Sequence, residues 1–155
     1  MKKKLMFLLV ITLILLPVVT LASQESQKPT FKYFSVDFGY FSGFDLDNED
    51  FEIYQTFGFD FRITDTLIIG YKNLYGLDFF NFKTQLNDKL RLGVGFAPFG
   101  PGTAFVDLGI EMVPFAKRYK DTFTTEFRLG FDYYFTDGNF EDGLIGIKAS
   151  VSVGL

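Results

Sequence analysis

From Lys32 to Leu155 the chain runs through eight short stretches in which every second residue is apolar or aromatic and the residues between are small or charged. Successive Cβ atoms of a strand point to opposite faces of the pleat, so a period of two builds strands with one greasy and one polar side. No stretch carries convincing helical periodicity.

Turn chemistry separates the stretches. The first strand is expected over Lys32 to Phe41, with Phe34, Val36, Phe38 and Tyr40 opposing Ser35, Asp37 and Gly39. An acidic loop, Asp45 to Asp50, leads into a second strand from Phe51 to Ile63, whose polar side carries Glu52, Asp60 and Arg62. Thr64-Asp65-Thr66 turns into a third strand with Leu67, Ile69 and Tyr71 against Gly70 and Lys72. Past Asn73 to Gly76, the fourth strand sets Phe80, Phe82 and Leu86 against Asn81, Lys83 and Gln85. Asn87-Asp88-Lys89 opens the fifth, where Leu90, Leu92, Val94 and Phe96 alternate with Arg91, Gly93, Gly95 and Ala97. Pro98 to Gly102 breaks the pattern, as Pro and Gly clusters do. The sixth strand, Ala104 to Met112, carries Asp107 and Glu111 and is followed by a basic connection, Lys117-Arg118-Tyr119-Lys120. The seventh, Phe123 to Phe135, carries Glu126, Arg128 and Asp132; Thr136 to Gly143 reads as a loop; the eighth, Ile145 to Leu155, carries Lys148.

The first residues have the layout of a secretory signal peptide. Lys2, Lys3 and Lys4 precede an apolar stretch from Leu5 to Val19 and a small-residue exit at Thr20-Leu21-Ala22. Residues 1–22 are therefore expected to be a cleaved leader, 23–30 a flexible polar lead-in, and 31–155 the folded unit. A retained helical anchor is the alternative, which Pro17 and the short polar exit disfavour. Without its three leader lysines the chain has 12 basic residues (15 less 3) against 19 acidic ones, a formal net of −7. That balance is unlike a nucleic-acid-binding surface. Cys is absent, which excludes a lipidated N-terminus, a disulfide framework and thiol chemistry.

Periodicity leaves open which side of a closed eight-stranded sheet faces in. A soluble barrel of the lipocalin kind would line its interior with the apolar set, but such an interior is only just wide enough to be filled by side chains or to hold one small ligand. The 22 Phe residues, nearly all outside the leader, would overfill it. The opposite set is small and close to balanced: Asp37, Glu52, Asp60, Asp107, Glu111, Glu126 and Asp132 against Arg62, Lys72, Lys83, Arg91, Arg128 and Lys148, interspersed with glycines. These thirteen charges are expected to pair in the lumen, because buried charge persists only when paired and hydrogen-bonded. The expected fold is all-β: an eight-stranded antiparallel up-and-down transmembrane barrel with its apolar side outward and a polar, filled lumen. A closed barrel satisfies every backbone group in lipid.

On this pattern the chain resembles the small eight-stranded outer-membrane barrels, of the outer membrane protein A and outer membrane protein X kind. The resemblance implies location in the outer membrane of a diderm bacterium, contact with its lipids, and delivery by the barrel assembly machinery through the C-terminal strand. Family members usually end in an aromatic residue; here Leu155 ends the alternation that starts at Ile145. The resemblance also implies that both termini face the periplasm, placing Asp45 to Asp50, Asn73 to Gly76, Pro98 to Gly102 and Thr136 to Gly143 outside.

Function follows as a choice between classes. A structural or surface-interaction role comes first, with a narrow channel for small solutes and a soluble exported lipid-binding barrel as alternatives. The chain has no His and no Cys, so His-assisted hydroxyl and thiol nucleophiles are lacking, and polar-face carboxylates such as Glu111 and Glu126 are the candidates for an acid/base pair. Lumenal ion pairing accounts for both more simply, so no catalytic residue and no cofactor is expected. The acidic segments Asp45 to Asp50 and Asp137 to Gly143 space oxygen ligands as hard cations favour, but the first lacks the glycine of a calcium loop and neither has its distal Glu, so no metal is assigned.

Overall fold

A computed structural model describes residues 31–74, 76–97, 105–119, 122–136 and 139–155, with backbone alone at 136 and 139–142. The leader and lead-in lie outside the described residues. Eight strands follow in order: β1 (Phe34–Asp45), β2 (Phe51–Arg62), β3 (Leu67–Leu74), β4 (Leu77–Asn87), β5 (Leu90–Ala97), β6 (Phe105–Tyr119), β7 (Phe123–Thr136) and β8 (Asn139–Gly154). Each pairs antiparallel with the next, and β1 pairs with β8, closing an up-and-down barrel.

The period of two sorts the side chains as a pleated sheet must. Ser35 and Asp37 on β1, Thr56 and Asp60 on β2, Asn81 and Gln85 on β4, and Lys148, Ser150 and Ser152 on β8 are buried. Between them Phe38, Phe57, Phe61, Phe80, Phe82, Phe96 and Val151 are exposed. Cross-strand ring pairs lace β1 to β5: Phe34 and Phe61 at 4.8 Å, Phe38 and Phe57 at 5.0 Å, and Phe59 stacked on Tyr71 at 4.9 Å. Such contacts add to the stability of the ladders they span.

The turns are held by the residues that announce them. At the β1–β2 connection the Asp45 carboxylate accepts from the Asp47 and Asn48 amides at 2.8 and 3.2 Å and from the Asn48 side chain at 2.9 Å. These bonds, the Asn48 side chain first, hold the Asp45 pKa below its ordinary 3.8. Thr64 Oγ1 accepts from the Leu67 amide at 3.0 Å, and Asn87 Oδ1 from the Lys89 amide at 2.9 Å. Gly76 takes the positive φ of 77° that the tight β3–β4 turn demands.

Several stretches depart from the sequence expectation. β1 runs past Phe41 to Asp45, the first residue of the expected acidic loop, and β3 takes in Asn73 and Leu74 of the next expected turn, because pairing with the neighbouring strands continues through them. β6 does not stop at Met112: it runs through the basic connection to Tyr119, because a bulge between Met112 and Phe115 absorbs Pro114, which cannot donate to a ladder. β8 starts at Asn139, so much of the expected Thr136 to Gly143 loop is strand, entered through an irregularity at Phe135 and Thr136. Leu90, expected among the apolar alternates, is fully buried where the β4–β5 register slips between Gln85 and Asn87.

Candidate functional site: the charged lumen

The inward residues of every strand converge on one charge network. At its centre Arg128 of β7, wholly buried, reaches Asp60 Oδ2 at 2.8 Å, Glu126 Oε2 at 2.7 Å and Ser35 Oγ at 2.9 Å. Arg91 of β5, equally buried, donates to Glu111 Oε1 at 2.9 Å and to both Glu126 oxygens at 3.1 Å. Lys83 spans Asp60 and Glu111 at 3.0 and 3.5 Å, and Lys148 lies 3.3 Å from Glu111 and 3.7 Å from Asp37. Each carboxylate is thus shared between cations from different strands. Removing two charges from water is repaid only by geometry of this kind, with the remaining donors and acceptors also engaged.

Towards the β1–β2 end the network gives way to a second cluster. Lys72 Nζ donates to Asp107 Oδ2 at 2.7 Å and to the Tyr134 hydroxyl at 2.6 Å, and lies 3.6 Å from Asp132. Above it Phe41, Leu74, Phe79, Ala97 and Tyr134 form a buried apolar layer, with Tyr134 edge-on to Phe41 and Phe79 at 5.3 and 5.2 Å. Gly70 and Gly109 make room in the wall: a Cβ at either would overlap the carboxylate of Asp60 or Asp132, which folds across the neighbouring strand.

The opposite mouth is filled by Phe31, which precedes β1 and is 1% exposed. Its ring is ringed by guanidinium groups, with Arg62, Arg91 and Arg128 at 4.6, 5.3 and 5.6 Å from its centroid. Cations over an aromatic face are attracted by its quadrupole. The Phe31 carbonyl accepts from Arg62 Nε at 2.9 Å, and the carbonyl oxygen of Leu155 accepts from the amides of Lys32 and Tyr33 at 3.0 and 2.7 Å.

Of the thirteen charges singled out in the sequence, eleven join this lumenal network by direct ion pairs: Asp37, Asp60, Lys72, Lys83, Arg91, Asp107, Glu111, Glu126, Arg128, Asp132 and Lys148. Arg62 stands at the mouth and spends its donors on the Phe31 and Asp65 carbonyls and on Gln85. Glu52 is half-buried near the acidic loop, where its register partner is Gly43, and has no ion pair among the described residues. Setting Glu52 aside leaves six acids and six bases. Glu111 and Glu126, the carboxylate pair weighed for acid/base work, are bridged by one guanidinium.

Sequence reasoning missed Tyr134, Phe41, Phe79 and Phe31. Tyr134 shares its strand parity with Asp132, Arg128 and Glu126, which is the signal that places it inside. Phe79 and Phe80 are adjacent, so one ring of the pair must face in. Phe31 lies ahead of the alternation and carries no parity at all.

The network leaves little open space. The space against Asp37, Lys72, Asp107, Asp132 and Lys148 amounts to about 20 Å³, room for about one water molecule. Among the described residues no group of three or more carboxylates is arranged to hold a metal ion. The candidate segment Asp137 to Gly143 lies largely outside the described side chains. Comparison with protein-family models, with curated proteins and with solved structures finds no match.

Proposed function

We propose that the chain is an integral outer-membrane barrel of a diderm bacterium, exported by residues 1–22, with a structural or surface-interaction role in the envelope and no catalysis. One observation carries this reading: the barrel buries the charges of its network and exposes many of its rings. Phe38 is 62% exposed and Phe51 77%, while Arg91 and Arg128 are wholly buried. Water would penalise so extensive an apolar surface, whereas hydrocarbon accepts it. The strands, 8 to 16 residues long, bracket the roughly 9–11 residues that a tilted strand needs to cross a bilayer.

The alternatives fare less well on the same geometry. A narrow channel would have to pass the Phe31 seat, the salt-bridge network and the Phe41–Phe79–Tyr134 layer in turn. A soluble lipid carrier would need an apolar cavity where the lumen is charged. The outer surface is read as contacting outer-membrane lipid, and the C-terminal strand as the segment offered to the assembly machinery. Cell fractionation with gel mobility of boiled and unboiled samples tests the proposal. Recovery with outer membranes and a boiling-dependent shift are expected; a soluble periplasmic protein without that shift would overturn it.

A further inference from the structure

Strand length is uneven around the barrel, and β6 outruns its neighbour. β5 begins at Leu90, which pairs with Met112, and the Val113 amide still reaches the Lys89 carbonyl at 2.8 Å. β6 then continues to Tyr119, past the start of β5. Pro114 has no amide hydrogen with which to extend that ladder, and the bulge between Met112 and Phe115 re-aims the strand. Among the described residues no strand pairs with Phe115–Tyr119 on the side away from β7. The overhang amounts to roughly 17 Å of extended backbone.

That edge is held in place from its other side. Phe115 to Tyr119 pair with Phe127 to Phe123 of β7, and Thr124 and Thr125 of β7 pair in turn with Gly154 and Val153 of β8. Tyr119 and Phe123 stack at 4.6 Å, and the Thr122 amide closes the turn onto the Tyr119 carbonyl at 2.8 Å. Every position from Pro114 to Tyr119 is exposed, Phe115 at 72%. A fixed, exposed strand edge is a template for another extended chain, because its backbone groups are already aligned for pairing.

The side chains narrow the choice of occupant. A period of two puts Phe115, Lys117 and Tyr119 on one face of the edge and Ala116 and Arg118 on the other. Lys117 Nζ lies 5.1 Å over the Tyr119 ring, and Arg118 already has a partner, so neither is offered as an open anion socket. What Lys117 does is restrict the residue that can lie opposite it. In a second copy, the antiparallel register that overlaps the whole edge sets Lys117 against Lys117, and like charges directly opposite destabilise a strand pair. An acidic residue at that position, flanked by apolar ones against Phe115 and Tyr119, removes the conflict.

We propose that the Phe115–Tyr119 edge takes up an extended segment of another polypeptide by strand addition, with a carboxylate opposite Lys117 and apolar side chains beside Phe115 and Tyr119. The edge is the same whether or not the barrel spans a membrane, so either reading can fail without the other.

The test uses the full barrel in micelles and a short synthetic peptide in which Val and Thr alternate around one central Glu, with amide exchange followed by NMR. Exchange is expected to slow about fivefold at alternate amides between Phe115 and Tyr119, and to stay unchanged at Asp47 and Asn48. The same peptide N-methylated on its pairing amides is expected to give no slowing. A peptide with Lys in place of Glu is expected to bind more weakly, and Lys117→Glu to reverse that order; unchanged amide shifts elsewhere show that the variant is folded. No slowing with the Glu peptide, equal slowing with its N-methylated form, or edge amides already protected in the free barrel overturns strand addition. Equal binding of the Glu and Lys peptides, or no reversal in Lys117→Glu, overturns the acidic partner. Slowing that appears with lipid vesicles alone, or with rising barrel concentration alone, assigns the edge to a bilayer or to a second copy and likewise overturns it.

Discussion

At the level of single residues, the lumen sets apart positions that look alike in the sequence. Arg128 touches Asp60, Glu126 and Ser35, so Arg128→Ala leaves two buried carboxylates short of a cation and is expected to cost about 3–5 kcal/mol in unfolding free energy measured by denaturant titration in detergent. The glycines divide more sharply. A Cβ at Gly39 would overlap the Ala149 carbonyl and the Ser150 backbone, neither of which can move without parting β1 from β8. At Gly93 the nearest neighbour is the flexible Lys83 stem at 3.3 Å. Gly39→Ala is therefore expected to lose about 2 kcal/mol or more, or to leave the barrel unable to close, and Gly93→Ala to lose under about 1 kcal/mol. Equal losses at the two sites would contradict that account. Parity made most of this legible: Asp60, Arg91 and Arg128 share a strand face with small residues, and the structure gathers them. Glu52 has the same parity but sits too near the strand end to meet a cation, a matter of depth that alternation does not encode.

Among the elements, legibility ends where the ladder is irregular. Alternation located all eight strands, because each inward stretch is punctuated by Gly, Asn, Asp or Thr at a turn. It lost the length of β6 at Pro114, where one bulge shifts the phase and the basic Lys117-Arg118 pair reads as loop. It lost the start of β8 to a Gly- and Asp-rich composition that pairing with β7 overrides. The β1–β2 turn supplies a pH test. Because the folded Asp45 pKa lies below its ordinary 3.8, its stabilisation of the turn is complete above that value and is lost as pH falls through the lower, folded one. Amide exchange at Asp47 and Asn48 is expected to lose protection relative to the Lys89 amide below pH 3.8 once intrinsic rates are normalised. Unchanged relative protection would show that the carboxylate does not hold the turn.

For the molecule as a whole, the lumenal charges are buried while Phe38, Phe51 and Phe61 are exposed, and on the proposed membrane reading each half would be costly without the other. The filled lumen has a direct electrical consequence. In planar bilayers the protein is expected to show no steady open events, and Phe31→Ala is expected to destabilise the barrel by about 3–5 kcal/mol while leaving conductance at baseline, because the salt-bridge network still spans the interior. Stable channels in the wild type would revive the pore; channels in Phe31→Ala alone would make that ring a stopper. Neither ring count nor charge balance foretold the Phe31 seat, since it is built from three arginines on β2, β5 and β7.

Those arginines are far apart along the chain and become neighbours only after the sheet has curled round on itself. The Phe31 pocket therefore does not exist in any open or half-paired intermediate. Occupancy of that pocket is a clock for the last event of assembly, and the chain has no Trp to obscure it. A lone indole at position 31, installed by Phe31→Trp, would stay in a wet environment while strands accumulate and change its emission only when the cylinder shuts.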